Sequence, residues 1–349
     1  MVDTEHIQIA HGGGGQLTAE LVAQVILPAL GDASAQDAGG LTDAAIIQIA
    51  SGDGELEASR IAFTTDSYVV QPLEFPGGDI GKLAICGTVN DLAVVGARPK
   101  VLSLALVLEE GLEIALLRRV LESAGRAAVQ AGVKVITGDT KVVERGGVAG
   151  MVINTAGVGQ RIKGAELGFK SIREGDRIIL SGPLGEHGMA VMSRRKGLSF
   201  SAQLASDCAP LNGLTGALLA KLGPAVRFMR DPTRGGLAAT AVEIATASGR
   251  DIELVEDSIP INRTARAAAE MLGLDLLTIA NEGKLVAVIS SDAADEAVRI
   301  LRRDEIARSA AVVGTVGAAN ESPLVELVTH VGGRRVVQMP YGEELPRIC

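Results

Sequence analysis

The segment TTDSYVVQPLEFPGGDIGKLAICGTVNDLAVVGARP, residues 64–99, contains the strand, turn and helix from which the fold of the chain is predicted. The segment RIAFTT before Asp66 predicts a strand that ends at this acid. Residues 79–96 follow a glycine-containing turn and are mostly apolar, which predicts a buried helix with Asp79 as its N-cap. An apolar strand followed by an apolar helix is typical of an α/β protein.

The same alternation of strands and helices extends to both sides of this segment. Residues 7–11, IQIAH, predict a short strand before a run of four glycines and an amphipathic helix. A polar stretch near 160–175 indicates a linker, after which the alternation restarts and ends in a hairpin. We therefore expect an α/β (α+β) protein with a first domain at 1–160 and a second at 161–339.

The last ten residues, 340–349, form a separate segment, PYGEELPRIC. Two prolines, a glycine and two glutamates leave it too few apolar side chains to fold alone. A ten-residue extended chain reaches about 35 Å, so we expect a mobile tail that carries the thiol of Cys349 at its tip. Such a tail is typical of a group carrier or of a substrate that the protein presents to itself.

Composition excludes several classes of protein. The net charge of −9 without a basic run argues against nucleic-acid binding. Three cysteines form neither a disulfide framework nor a spaced metal site. The N-terminus lacks the pattern of a signal peptide, and no stretch approaches about 20 uninterrupted apolar residues, so we expect a cytoplasmic protein that does not contact membranes.

Four acids are candidates for a metal site. Asp66, Asp139 and Asp231 each follow an apolar strand directly, and ligand sites of α/β folds collect at the carboxyl ends of strands. Asp91 lies beside Asn90 in an apolar helix, where an acid is costly unless it is paired, protonated or metal-bound. The set predicts Mg²⁺ ions that bridge the phosphates of a nucleotide. Alternatively, the three strand-following acids are helix N-caps or turn residues, and Asp91 belongs to a buried pair.

Glu282, in the polar turn of ANEGKLV, is a candidate general acid or base, or else an exposed turn residue. The histidines, including His11 and His187, show no metal-ligand spacing and are expected to have structural or solvent-exposed roles. The glycines after His11 predict either a phosphate-binding loop or a flexible loop. The segments GGDIGKLA and NEGKLV do not fit G-x-x-x-x-G-K-[ST], which excludes a Walker-type ATPase.

Several motifs together resemble the HypE family of hydrogenase-maturation proteins, within the superfamily of enzymes similar to aminoimidazole ribonucleotide synthetase. These motifs run in the expected order from His11 to Cys349 and are HGGGG, the segment 64–99, ITGDTKVV, INTAGVG, DPTRGGLAA, ANEGKLV and the terminal PRIC. Relatives similar to selenophosphate synthase would have a reactive cysteine or selenocysteine in the glycine loop, which this chain lacks.

The resemblance implies two α/β domains, a homodimer formed through strands of the first domain, and ATP with Mg²⁺ between the domains. It implies that the metal ligands are Asp66, Asp91, Asp139 and Asp231. It also implies that ATP contacts these acids and the residues Gly12, Gly13, Gly14, Asn90, Gly138 and Thr140.

The resemblance further implies a reaction. A HypF-type carbamoyltransferase would place a carbamoyl group on Cys349, and this chain would use ATP to dehydrate it to a thiocyanate. The cyano group would then reach the iron of a NiFe hydrogenase through a HypC–HypD-type scaffold. Because an amide-like oxygen leaves poorly, phosphorylation of that oxygen makes the dehydration feasible. Glu282 is our candidate for the base, with Asp91 as the second choice.

Two other functions are compatible with the sequence. The chain could be a carrier on which Cys349 transports a group without chemistry, although such a carrier has no need of Asp91 and Glu282. It could also be an ATP-dependent enzyme of the same superfamily with a diffusible substrate, although the terminal thiol then has no role. Loss of Cys349 would abolish the thiocyanate-forming reaction and would spare an enzyme with a diffusible substrate.

Overall fold

The computed structural model describes residues 6–12, 15–30, 43–49, 59–198, 204–341 and 348–349. The first part of the chain contains the elements α1 (Gln16–Leu21), α2 (Leu27–Leu30), β1 (Ala45–Ile49), β2 (Ser59–Tyr68), β3 (Glu74–Phe75), β4 (Gly78–Asp79), α3 (Ile80–Val94), β5 (Ala97–Glu109), α4 (Ile114–Ala131), β6 (Lys134–Val143) and β7 (Met151–Arg161). The second part contains β8 (Arg177–Leu180), α5 (Glu186–Arg195), α6 (Asn212–Leu222), β9 (Val226–Arg230), α7 (Gly236–Ser248), β10 (Arg250–Val255), α8 (Arg263–Leu272), β11 (Val286–Ile289), α9 (Ala294–Leu301), β12 (Ala311–Ala319), β13 (Val325–Val328) and β14 (Arg334–Val337).

The first sheet has the strand order β1-β2-β7-β5-β6. All its neighbouring strands are antiparallel except β5 and β6, which are parallel and are joined by the crossover helix α4. Gly132 ends α4 with a left-handed φ of 70°, which glycine adopts without strain. Strand β6 lies at the edge of the sheet, and all its residues except Val143 are exposed.

Helix α3 lies at the centre of the molecule. Its N-cap is Asp79, as the sequence predicts, because the Asp79 carboxylate accepts hydrogen bonds from the backbone N–H groups of Gly81 and Lys82. The helix contacts strands of the first sheet on one side, and α4 and α6 on others. A helix that is covered on all sides must be apolar all round, which explains its sequence and leaves Asp91 as an exception.

The second sheet has the order β14-β13-β10-β12-β8-β11-β9 and is also mixed. The predicted last hairpin is present, with Val325 opposite Val337. Both sheets bury apolar faces under helices, so the predicted class and the restart of the alternation are confirmed. The exact domain boundary at residue 160 stays a prediction. No helix in the described segments is long and apolar enough to cross a membrane.

Three details of the prediction are wrong. Ile9–Gly12 form a 3₁₀ turn, whereas the sequence predicted a strand at 7–11. Strands β2 and β6 continue past the acids that were expected to end them, so that Asp66 pairs with Thr155 and Asp139 with Ala105 inside a sheet. Both strands continue through polar residues. A polar residue after an apolar run is therefore not a reliable sign that these strands end.

Candidate active site

A cavity at the junction of the two sheets collects most of the predicted acids and the terminal thiol. Its walls come from β2 and α3 in the first part of the chain, from the β9–α7 connection in the second, and from the end of the tail. The lining residues with polar side chains are Asp43, Thr64, Thr65, Asp66, Tyr68, Asp91, Arg230, Asp231, Thr233, Arg234, Thr240, Glu243, Glu282 and Cys349.

Three carboxylates form a close group within this cavity. One oxygen from each of Asp43, Asp91 and Asp231 lies within 4.8 Å of the others. Asp91 projects from α3, Asp231 follows β9 directly, and Asp43 precedes β1. Carboxylate oxygens are ligands that Mg²⁺ prefers, and three negative charges at this spacing repel each other unless a cation or protons lie between them. The donor set therefore fits a Mg²⁺ ion.

The pKa values of these acids reflect this crowding. Burial raises the pKa of Asp91 well above its ordinary value, and the carboxylates of Asp231 and Asp43 raise it further. Burial, together with Asp43, raises the pKa of Asp231 to about 7 against the opposing effect of Arg230. Without a metal ion, the group is therefore partly protonated near neutral pH.

The hydroxyl of Thr64 lies between two oxygens of this group. The Thr64 hydroxyl oxygen lies 2.9 Å from the Asp43 carbonyl oxygen and 2.9 Å from Asp91 Oδ2. A hydroxyl has one proton, and a carbonyl can only accept it. The Thr64 proton can therefore serve only one of the two oxygens at a time, and when it is donated to Asp91 it opposes the rise of the Asp91 pKa.

Glu282 lies in the same cavity with 2% of its surface exposed. Burial raises the pKa of its carboxyl well above the usual range, and Asp231, Asp207 and Asp66 raise it further. One carboxyl oxygen, Oε1, is buried and has no hydrogen-bond partner among the residues that the structure describes. A buried carboxyl with a free oxygen and a raised pKa is suited to accept a proton from a bound group.

Asp207 holds the turn that carries Glu282. Its carboxylate accepts hydrogen bonds from the backbone N–H groups of Glu282 and Gly283, each at 3.2 Å. The buried Lys284 ammonium pairs with Asp207 at 3.3 Å and with Glu186 at 3.0 Å. A Cβ on Gly283 would collide with the Asp207 carbonyl oxygen, so the close approach of the two segments requires glycine.

The tail ends inside the cavity. Ile348 is 3% exposed and belongs to the apolar core, and Cys349 packs against the same core. Burial raises the pKa of the Cys349 thiol to about 12, although the guanidinium of Arg234 opposes this effect. Arg234 hydrogen-bonds to the Cys349 side chain and forms a 3.1 Å ion pair with Asp66. The composition of residues 340–349 predicted a mobile arm, whereas the structure places Ile348 and Cys349 in a docked position.

Not all predicted site residues reach the cavity. Asn90 is fully buried, where its amide donates to the carbonyls of Ala209 and Glu282 and accepts from Leu211 N–H, so that it holds the two parts of the chain together. Asp139 lies on exposed β6, paired with Lys141 at 2.8 Å.

Gly138 and Thr140 lie beside Asp139 on β6 and are not among the cavity-lining residues. Gly12 closes the first 3₁₀ turn, also outside that lining. Gly13 and Gly14 fall outside the described residues.

Several residues of the site were not predicted from the sequence, among them Asp43, Arg234 and Tyr68. No local sequence pattern marks Asp43 as a site residue, because its approach to Asp91 depends on how β1 pairs with β2. Arg234 lies within the quoted DPTRGGLAA motif, which was the available signal for it. Tyr68 lies two residues beyond Asp66, and its buried hydroxyl is 3.3 Å from that of Thr88.

Both parts of the chain are similar to known proteins. Residues 41–160 match the family described as AIR synthase related protein, N-terminal domain, and residues 173–325 match the corresponding C-terminal domain family. Carbamoyl dehydratase HypE of Bradyrhizobium diazoefficiens is 44% identical over 347 residues, which cover 98% of this chain and 96% of the relative.

Two solved structures are similar over most of the chain. A hydrogenase maturation protein HypE in complex with ATP has a TM-score of 0.80 and 39% identity, covering 97% of this chain and 98% of that chain. A HypE–HypF complex has a TM-score of 0.78 and 44% identity, covering 86% of this chain and 93% of that chain.

Proposed function

The chain belongs to the HypE family of carbamoyl dehydratases, and on that premise we propose that it acts on a carbamoyl group carried by its own Cys349. As an ATP-dependent dehydratase of hydrogenase maturation, it converts this thiocarbamate to a thiocyanate. The thiocyanate supplies the cyanide ligands of a NiFe hydrogenase iron.

One observation carries this proposal. The thiol of Cys349 lies in the same cavity as Glu282, Arg234 and the three-carboxylate group of Asp43, Asp91 and Asp231. An enzyme with a diffusible substrate has no reason to fill its cavity with its own C-terminus. A carrier without chemistry has no reason to hold buried acids with raised pKa values around that C-terminus.

The three carboxylates are the residues that would hold Mg²⁺. When bound, this ion would neutralise the charge of the ATP phosphates and of the phosphoryl group in transfer. Asp66 is a further candidate ligand, since it lines the cavity and is paired only with Arg234 among the ion pairs of the described residues. The phosphoryl acceptor is the carbamoyl oxygen, which then leaves as phosphate while the C–N bond becomes triple.

Two protons leave the carbamoyl nitrogen, and Glu282 would accept one of them while the departing phosphate can carry away the other. The raised pKa of Glu282 makes its ionised carboxylate a stronger base than an ordinary glutamate, and Oε1, which has no hydrogen-bond partner among the described residues, can accept the proton. Arg234 would orient the carbamoyl group, because it already contacts the sulfur of Cys349 and presents several donors in a fixed plane. Asp91 remains the second candidate for the base.

Asp139 would join the site in a homodimer. Strand β6 is the last strand of the first sheet among the described residues and is exposed, and an exposed strand edge is a ready surface for a second copy. This pairing would bring Gly138, Asp139 and Thr140 of one copy towards the nucleotide of the other. Carbamoylation would come from a HypF-type partner, and the cyano group would leave through a HypC–HypD-type scaffold.

The test is mass spectrometry of the C-terminal peptide after incubation with the HypF-type carbamoyltransferase, carbamoyl phosphate and Mg-ATP. We expect a carbamoyl group on Cys349 and then the loss of one water. Carbamoylation without water loss would support a carrier, and the absence of any modification would support a diffusible substrate. Glu282→Gln is the matched variant, because it should be carbamoylated and should not lose water.

A further inference from the structure

His187 contacts the docked tail directly, although the reaction gives it no role. It is the second residue of α5 and is 0% exposed. Its Nε2 atom lies 2.8 Å from the carbonyl oxygen of Ile348, the residue before the reactive cysteine. Because a carbonyl can only accept, Nε2 carries the proton and donates it to the tail.

Ser206 fixes this orientation of the ring. The Ser206 hydroxyl lies 2.8 Å from His187 Nδ1 and accepts a hydrogen bond from the backbone N–H of Cys208 at 3.1 Å. With that N–H occupying one lone pair, the hydroxyl can direct its proton at Nδ1, which leaves Nε2 as the protonated nitrogen of a neutral ring. Burial also lowers the pKa of His187, against the opposing effect of Asp207, and this favours the neutral form.

The ring and its partners are held by both parts of the chain. The ring of Phe75, in β3, meets the His187 ring edge-on with centroids 5.4 Å apart. The backbone N–H of Ser206 donates to the carbonyl of Pro76 at 2.7 Å. A Cβ on Gly77 would lie 2.7 Å from Ser206 backbone atoms, so this contact is tight. The contacts that orient this donor therefore involve no residue of the tail.

Three other contacts hold the end of the tail among the described residues, and one of them is the hydrogen bond of Arg234 to the Cys349 side chain. The Ile348 side chain is buried in the core, and the backbone N–H of Val69 donates to the Cys349 carbonyl oxygen at 3.4 Å. The Val69 bond is long, whereas the His187 bond has the length of a normal hydrogen bond. Both bonds are accepted by backbone carbonyl oxygens of the tail. They therefore fix the position of the backbone that carries the thiol in the cavity.

We propose that His187 is the latch that holds the C-terminal tail in the cavity and thereby positions Cys349. His187 is a positioning residue, since it contacts the residue next to the reacting group. This inference rests on the proposed function, because a latch is useful only where the same thiol must alternate between the cavity and a partner enzyme. A hydrogen bond makes a modest net contribution to stability, so loss of the His187 bond should weaken docking of the tail without abolishing it.

The test measures the exposure of the thiol. Purified full-length protein is treated with iodoacetamide, and alkylation of Cys349 is followed by mass spectrometry of its peptide. His187→Ala should raise the alkylation rate roughly three- to tenfold, as expected for the loss of one hydrogen bond. His187→Gln should restore most of the protection, because its amide N–H can reach the same carbonyl. His330→Ala is the matched control, since the His330 side chain is exposed and should leave the rate unchanged.

Alkylation at the wild-type rate in folded His187→Ala would overturn the latch, as would His187→Gln behaving like His187→Ala. Ser206→Ala gives a second test if His187→Ala does not fold. This variant keeps the His187 ring and removes the hydroxyl that determines which ring nitrogen carries the proton. It should raise the alkylation rate of Cys349 by roughly a factor of two. An unchanged rate in Ser206→Ala would also count against the latch.

The labelling needs neither ATP nor a carbamoyl group, so it separates the two proposals. If His187→Ala exposes the thiol and the wild-type protein never dehydrates a carbamoyl group, the proposed function fails and the latch stands. If dehydration is found, His187→Ala should slow it by a similar factor and leave carbamoylation as fast or faster. Dehydration at the wild-type rate together with wild-type alkylation would refute the latch alone.

Discussion

Asp231 and Asp139 look alike in the sequence and lie in opposite surroundings in the structure. Both follow an apolar run with strand character. Asp231 is 3% exposed in the cavity, where burial raises its pKa to about 7. The Asp139 side chain is 61% exposed on β6, where its hydrogen bond with Lys141 lowers its pKa.

This difference shows which of the predicted acids reach the cavity within a single chain. Strand β9 runs into the junction of the two sheets and delivers Asp231 to Asp43 and Asp91. Strand β6 lies at the outer edge of the first sheet and delivers Asp139 to its surface. Asp231 should therefore act within its own chain, whereas Asp139 should act only through a second copy.

Glu282→Gln should have the largest effect on this buried site. Loss of a general base lowers rates by about 100-fold or more, so dehydration of carbamoylated Cys349 should fall by at least that factor. The measurement is single-turnover water loss from the C-terminal peptide. Carbamoylation by the HypF-type partner is the control and should be unchanged. Dehydration within a few-fold of the wild-type rate would shift the role of base to Asp91.

The variants Asp231→Asn and Asp139→Asn test whether the buried acid acts within its own chain and the exposed acid acts only in a homodimer. Asp231→Asn removes one of three charges around the cation and should weaken the apparent Mg²⁺ affinity at least about tenfold. Asp139→Asn should weaken nucleotide binding only in the homodimer. Titration of Mg-ATP at protein concentrations above and below dimer dissociation distinguishes the two. If Asp139→Asn weakened nucleotide binding as much in the monomer as in the homodimer, Asp139 would not act through a second copy.

Mg²⁺ should stabilise the protein more at high pH than at low pH. The pKa of Asp231 is about 7 in the folded protein and has an ordinary value of 3.8. Its contribution to stability is therefore present below the unfolded value and is lost as the pH rises through the folded value.

Because Mg²⁺ competes with protons for the same oxygens, the increase in Tm that it causes should be larger at about pH 8 than at about pH 5.5. Thermal unfolding with and without Mg²⁺ at both pH values measures this difference. Asp231→Asn should reduce it. An equal increase in Tm at both pH values would argue against the three-carboxylate site.

Asp139→Asn should have the smallest effect on folding. Its carboxylate pairs only with Lys141 on an exposed strand, and exposed ion pairs contribute little to stability. We expect a change in Tm of less than about 2 °C. A larger change, seen at a concentration where the protein is monomeric, would mean that β6 is less exposed than described.

Local signals in the sequence predicted much of the fold. Residues 79–96 are apolar and begin with a capping acid, and α3 forms with Asp79 as its N-cap. Gly132, a residue type that commonly follows the last turn of a helix, ends α4. Strand ends at Asp66 and Asp139 were not predictable, because one face of β2 lines a polar cavity and β6 is exposed on its surface. In both strands, polar residues continue the strand.

The site was predicted only where the sequence concentrates unusual residues. Asp91 stands out in an apolar helix, and Glu282 in a short polar turn, and both line the cavity. Asp43 and His187 could not be assigned, because their roles depend on contacts with residues distant in the chain. His187 meets Ile348 across 161 positions, and no local pattern encodes that distance.

The central claim is that this cavity dehydrates the carbamoyl group of Cys349 by phosphorylating its oxygen. The most direct test starts with protein whose Cys349 carries a carbamoyl group labelled with oxygen-18, and adds Mg-ATP. The label should appear in inorganic phosphate in step with the loss of water from the C-terminal peptide. Label released as water, or retained on Cys349 while ATP is hydrolysed, would contradict the account.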